Sequence, residues 1–201
     1  MKTHVACLIT ALFSIALLRG EEPAIADSVA GFSVEQGKQG WSYLYYISSK
    51  DGTGTYAPED ALPMKWGSKS GDTTDHWNAP FTYFTLGPES AKSRVIEGVY
   101  QGWAVRRWTS DQDGEIEISG SVKCTAKAGD AGSAGDGIGL KIFLGGKELL
   151  NKLLAPQESV EIQLRTPVRK GSTVDFAVTP GPGLNALFDG SQFRVIIRKA
   201  N

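Results

Sequence analysis

Gly102-Trp-Ala-Val-Arg-Arg-Trp-Thr-Ser110, followed after an Asp111-Gln-Asp113 turn by Gly114-Glu-Ile-Glu-Ile-Ser-Gly120, decides the fold class. The second half alternates strictly: Ile116, Ile118, Val122 and Cys124 fall on one face of an extended segment and Glu115, Glu117 and Lys123 on the other. Period-two alternation marks a half-buried strand. Working outward, Ser42, Leu44 and Tyr46 alternate with Trp41, Tyr43 and Tyr45, and Phe81 to Leu86 predicts a further short strand before Gly87-Pro88. Ile138, Leu140, Ile142 and Leu144 alternate again, and Gly145-Gly146 supplies the positive-φ pair of a two-residue hairpin. Leu149 to Leu154 suits a strand or a helical turn; its strand neighbours favour strand. Val160, Ile162 and Leu164, then Val174, Phe176 and Val178, then Phe193, Val195 and Ile197 complete the series, with Lys170-Gly171-Ser172 as a turn.

Strands recurring about every ten residues, with turn residues between them and no amphipathic helix, predict an all-β fold: an antiparallel β-sandwich of jelly-roll type. One domain over 27–201 is expected, with no internal repeat. Two connections stand out, the loop-rich excursion from 47 to 80 and the small-residue stretch Lys127 to Gly137. Ser90 to Arg94 is polar and reads as a surface loop, and Phe32-Ser-Val is expected to lie beside Phe193-Arg-Val.

The N-terminus reads as a signal peptide over 1–26. Lys2 is its positive end, Val5 to Leu18 is an apolar run, and Ala24-Ile25-Ala26 offers small residues before Asp27. The run is too short to cross the roughly 20-residue thickness of a bilayer core, and Cys7 lies too early in it for a lipoprotein cysteine. A secreted or periplasmic location follows, without membrane insertion. The remaining cysteine, Cys124, sits on the apolar strand face and reads as a small core residue. A net charge of -1 gives no field for nucleic acid or anionic membrane.

Four segments resemble a known group of modules: Phe32-Ser-Val-Glu-Gln-Gly37 leading to Trp41-Ser-Tyr-Leu-Tyr-Tyr46; Trp103 to Ser110 with Gly114 to Gly120; Gly135-Asp-Gly-Ile-Gly-Leu-Lys-Ile142; and Lys170-Gly-Ser-Thr-Val-Asp-Phe-Ala-Val178. In order and spacing they look like the β-sandwich accessory modules, regarded as carbohydrate-binding-like, of secreted bacterial glycoside hydrolases and polysaccharide lyases. The resemblance implies a non-catalytic partner for polysaccharide or glycan.

The residues offer a matching chemistry. An indole covers the apolar face of a pyranose, and a guanidinium donates fixed hydrogen bonds to hydroxyls. Trp41, Tyr43 and Tyr45 share one strand face and read as core, which leaves Tyr46, on the opposite face, as a surface ring. Trp66 and Trp77 lie in the loop excursion, where binding residues concentrate. With Val105 turned inward, Arg107 lies inward at the sheet margin as a structural arginine, and Arg106 with Trp108 faces out, beside Trp103. The expected ligand-binding set is Tyr46, Trp66, Trp77, Trp103, Arg106 and Trp108.

No catalytic or metal-binding residue is expected. Asp111-Gln-Asp113 and the aspartates of 129–137 have the oxygen content for a structural calcium ion, but Asp-Gly pairs are also ordinary turn formers. Other readings are a module that binds a cell-surface protein, and a polysaccharide lyase or hydrolase that uses His76 with a tyrosine such as Tyr83 and Arg94 or Arg106, or the pair Glu115 and Glu117.

Overall fold

A computed structural model describes residues 23–48, 55–67, 75–98, 100–126, 135–183 and 190–200. Residues 1–22, most of the expected signal peptide, lie outside them, as does most of the loop at 127–134. In chain order the strands are β1 (Ala24–Asp27), β2 (Trp41–Ser48), β3 (Leu62–Pro63), β4 (Lys65–Trp66), β5 (Trp77–Asn78), β6 (Thr85–Leu86), β7 (Ser90–Lys92), β8 (Arg94–Ile96), β9 (Tyr100–Thr109), β10 (Gly114–Cys124), β11 (Ile138–Leu144), β12 (Lys147–Leu154), β13 (Ser159–Val168), β14 (Thr173–Pro180) and β15 (Gly190–Lys199).

They form two antiparallel sheets, so the fold is an all-β sandwich of jelly-roll type. The first runs β13-β10-β15-β7-β6-β5-β4 with β1 added beside β15, and the second runs β12-β11-β14-β9-β2-β3 with β8 added beside β9. From β12 onward successive strands alternate between the sheets, which is how one chain staples the two layers together. Ile116, Ile118, Val122, Phe193, Val195 and Ile197 face Tyr43, Trp108, Leu140, Ile142, Val174, Phe176 and Val178 across the interior, all buried. Cys124 is buried in this core, as its place in the alternation predicts. The hairpin turn also follows the sequence, with Gly145 at φ 53° and Gly146 at φ 86°.

Three expectations are corrected. Ser90 to Arg94 is not a loop: Ser90–Lys92 pairs with β6 and β15, and Arg94–Ile96 pairs with β9. Its outward residues are polar, so only Ala91, turned into the core, betrays the strand. Phe32-Ser-Val does not lie beside Phe193-Arg-Val; the preceding residues do that work, with Ala24, Ala26 and Asp27 opposite Arg198, Ile197 and Ile196. Of Phe81 to Leu86, only Thr85–Leu86 is strand, because Tyr83 takes a positive φ of 59° that no strand contains. The cleavage site expected before Asp27 falls at the end of β1, whose Ala26 is buried.

Gly120 sits at the centre of β10 with φ 153°, and a Cβ built there would lie 2.1 Å from the carbonyl oxygen of Arg194. The neighbouring strand therefore approaches closer than any side chain allows. Gly120→Ala is expected to lower unfolding free energy by about 2–4 kcal/mol, the range for forced backbone strain with a clash. Urea denaturation of variant and wild type measures it.

Candidate functional site

The structure turns most of the expected ligand-binding side chains away from solvent. Trp108 and Arg106 point between the sheets, each almost wholly buried. Trp77 is buried beneath the first sheet's edge, stacked on Tyr43 at 5.1 Å with its Nε1 donating to the Ser33 carbonyl at 2.9 Å. Trp66 meets Trp77 edge to face at 5.7 Å and keeps part of its surface exposed. Tyr46 and Trp103 do lie on the outer face of the second sheet, but that face carries a core of its own. Tyr56 folds over it, 4.9 Å from Tyr46, 6.0 Å from Trp103 and 4.4 Å from Phe143 between ring centres.

The assignment of faces along β9 is thus the reverse of the expected one. Val105 and Arg107 face outward and Arg106 and Trp108 inward, because both faces of this strand are apolar and buried. A strand covered on both sides has no polar half to orient it.

Each arginine is held by its surroundings. The Arg106 guanidinium donates to the carbonyls of Ser28 and Pro88 at 2.9 Å each, and also to those of Gly87 and Ser90. Burial lowers it to about 10, which leaves it charged at neutral pH. Arg107 grips Asp175 with two bonds, Nε to Oδ1 at 2.6 Å and Nη2 to Oδ2 at 2.9 Å, and also donates to the Pro58 carbonyl. Tyr56 Oη donates to the same carboxylate at 2.8 Å. Burial, followed by the nearby Asp175 charge, raises the Tyr56 phenol far above its ordinary value of 10.0; burial also raises Tyr43.

The open surface lies elsewhere. The outer face of the first sheet carries a cleft of about 300 Å³ lined by Glu89, Ser121, Lys123, Ser159, Glu161, Gln192 and Arg194, together with Phe193. Its shape follows from register. On the central strand β10, Ser121 stands between Glu161 on β13 and Arg194 on β15, and Lys123 stands between Ser159 and Gln192. A short serine flanked by long side chains makes a trough, continued by Ser119 between Gln163 and Ile196. Arg194 is steadied by Asp27 at 3.2 Å. Burial would raise that carboxyl, but the N–H groups of Val29 and Ala30 and the guanidinium outweigh it and hold Asp27 below its ordinary value. Sequence reading misses the trough because each member is only the polar half of a strand alternation.

Among the described residues, the exposed aromatic rings are Tyr83, 50% exposed, and Tyr100, 45% exposed. Phe84, next to Tyr83, packs over Gly102, two residues along β9 from Tyr100; a Cβ on Gly102 would lie 2.6 Å from its ring.

His76 Nε2 lies 3.4 Å from Ser90 Oγ, and its buried Nδ1 has no hydrogen-bond partner to orient the ring. Burial lowers its pKa. Glu117 is engaged by Arg165 at 2.9 Å. Asp113 accepts from the Lys170 N–H at 2.8 Å and Asp136 accepts from the Gly183 N–H, so each carboxylate ties its own loop to a distant one. Among the described residues no group of three or more His, Cys, Asp or Glu side chains is placed to hold a metal ion. No helix among them is long and apolar enough to cross a membrane.

No family model matches the sequence, and no curated protein does. Solved structures similar to the chain include carbohydrate binding modules, glycoside hydrolases and PorU from Porphyromonas gingivalis, each at 14% identity or less. A family 35 carbohydrate binding module from Clostridium thermocellum has 10% identity and a TM-score of 0.32, covering 78% of this chain and 98% of that one. The carbohydrate binding module CBM6cm-2 of Cellvibrio mixtus lichenase 5A, solved with cellotriose, has 12% identity and a TM-score of 0.29 over 55% of this chain and 86% of that one. A β-glucosidase from Kluyveromyces marxianus has 10% identity and a TM-score of 0.33 over 86% of this chain; the chain spans 17% of that enzyme's length.

Two outcomes follow. Trp103→Ala and Trp108→Ala are each expected to destabilise the protein by about 3–5 kcal/mol, the range for emptying a buried indole site, as read from urea midpoints. In the unfolded chain Tyr56 ionises near its ordinary 10.0 but in the folded chain only above it, so its contribution is complete below pH 10 and is lost as pH rises. Thermal melts across the alkaline range are expected to fall less steeply for Tyr56→Phe than for wild type.

Proposed function

We propose that this protein is a secreted, non-catalytic module that binds polysaccharide or glycan along the outer face of its first sheet. The trough carries the proposal. It is concave and polar, floored by serine hydroxyls and walled by carboxylate, amide, ammonium and guanidinium groups. Glu89 and Glu161 balance Lys123 and Arg194, so the site offers both donors and acceptors without a strong field of either sign. That suits a neutral polyhydroxylated chain better than a polyanion. A protein partner would ask for an apolar, aromatic centre with charges at the rim, whereas the one aromatic residue lining the trough, Phe193, is itself buried.

In this reading arginine acts through Arg194 in place of Arg106. The rings that keep solvent exposure lie outside the trough: Trp66 on β4 at the opposite end of the first sheet, Tyr83 between β5 and β6, and Tyr100 on β9 of the second sheet. A shallow, open site of this kind gives modest affinity per contact, because each hydrogen bond exchanges against water. Export is the expectation carried by the signal-like segment over 1–26.

Affinity electrophoresis against a panel of neutral and anionic polysaccharides tests the proposal. Wild type is expected to be retarded by at least one neutral glycan, and Lys123→Ala combined with Gln192→Ala to weaken that retardation about tenfold or more, the equivalent of losing one or two hydrogen bonds. Ser121→Trp, which fills the trough, is expected to abolish it with the melting temperature little changed. Wild type that migrates freely through every polysaccharide overturns the reading.

A further inference from the structure

The two long edge strands of the sandwich, β12 and β13, are built differently; the opposite ends of the sheets are the two-residue strands β3 and β4. β12 ends the second sheet and β13 ends the first. β12 is blunted twice. Its register against β11 slips between Ile142 and Phe143, leaving Leu149 as an extra residue, and Lys152 stands opposite the fully buried Leu140, so a charge occupies the inward side of the edge. Bulges and inward charges are devices by which sheets refuse another strand. β13 has neither. It pairs with β10 without interruption from Ser159 to Val168. Its inward positions are Val160, Ile162, Leu164, Thr166 and Val168, and Val160 and Leu164 are only partly covered.

The backbone of β13 is aimed for pairing. The Cys124 N–H donates to the Glu158 carbonyl and the Ala200 N–H donates to the Glu115 carbonyl. By antiparallel alternation, the even-numbered residues of β10 therefore bond to β13 and the odd-numbered ones to β15. The partners of the even residues are Val160, Ile162, Leu164 and Thr166. Ser159, Glu161, Gln163 and Arg165 consequently direct both N–H and C=O at the open edge, and Pro167 directs a carbonyl alone. Among the described residues no other strand pairs with this edge.

The sequence of this edge is complementary to its own reverse. With Gln163 placed opposite Gln163 of a second, antiparallel copy, Glu161 falls opposite Arg165 and Arg165 opposite Glu161 on the outer face. On the inner face Ile162 meets Leu164 and Val160 meets Thr166, so the apolar surface left open in one chain is covered by the other. This is also the register in which the edge-directed groups of Glu161, Gln163 and Arg165 meet as hydrogen-bonded pairs, while Pro167, opposite Ser159, offers only its carbonyl. We propose that β13 is a self-association edge, through which two copies of this chain join their first sheets into one continuous sheet. Arg165 already contacts Glu117 at 2.9 Å, so in the pair it lies between one carboxylate of its own chain and one of the second copy. The proposal does not depend on what the trough binds.

Charge reversal tests it. Sedimentation equilibrium of wild type over a concentration series is expected to show a monomer–dimer equilibrium. Glu161→Arg alone places arginine opposite arginine twice, and Arg165→Glu alone places glutamate opposite glutamate twice. Each is expected to raise the dimer dissociation constant about tenfold to a hundredfold, from cross-strand pairs changed from attractive to repulsive. The double variant Glu161→Arg/Arg165→Glu restores complementarity and is expected to dimerise as wild type does. An equimolar mixture of the two single variants, each folded by circular dichroism, is expected to form a heterodimer. Wild type that remains monomeric throughout, or a dimer indifferent to both single reversals, overturns the proposal.

Discussion

The sandwich is organised around one buried cation. Arg106 lies at 1% exposure between the sheets with no carboxylate partner among the described residues, and its charge is met by backbone carbonyls from Ser28 and from the turn Gly87, Pro88 and Ser90. The rings of Phe193, Phe32 and Tyr43 surround it at 4.9, 5.7 and 5.9 Å. A buried charge is tolerable only where such groups replace its hydration. Those groups come from four separate parts of the chain: the segment after β1, the β6–β7 turn, β2 and β15. None can shift without uncovering the cation, so Arg106 fixes how the N-terminal lead and the β6–β7 turn close the open side of the sandwich.

The adjacent residue fixes the other face. Arg107, Asp175 and Tyr56 form a closed ion-pair and hydrogen-bond set that draws the 55–60 segment down over β9 and β14. The Asp175 carboxylate is wholly buried and satisfied by three donors, an arrangement that is stable only while all are present. Beneath this segment Tyr46, Trp103 and Phe143 are sealed off. The second sheet is thereby covered on both faces, whereas no segment among the described residues closes the outer face of the first sheet over the trough.

Much of this was legible in the sequence where a strand has one apolar and one polar face. Glu115 to Cys124, Val160 to Leu164 and Phe193 to Ile197 alternate cleanly and lie where the alternation puts them. The Gly145-Gly146 hairpin was legible for the same local reason. Residues 103–108 were not, because both faces of β9 are buried and alternation between two apolar faces carries no sign. The cover over the outer face is Tyr56, 49 residues from Val105 in the chain and announced by no local pattern. The trough was hidden for a different reason. Ser121, Glu161 and Arg194 are unremarkable singly and become a site only through the register of three strands, which is a long-range property.

The same sheet carries both the trough and the open edge, and this sets how the two relate. Identical antiparallel strands are exchanged by a two-fold axis normal to their sheet, so pairing through β13 keeps both outer faces on one side of the joined sheet. The two troughs then lie next to each other, separated only by the paired β13 strands, with Glu161 and Ser159 on the near wall of each. A single polymer chain can engage both. Because the second contact is intramolecular once the first has formed, weak sites acting together gain on the order of a hundredfold or more in retention. A ligand with many equivalent sugar units rewards that geometry, whereas a short oligosaccharide occupies one trough and gains nothing from the pair. In the proposed reading, a trough of modest affinity and a self-complementary edge beside it together match an extended ligand.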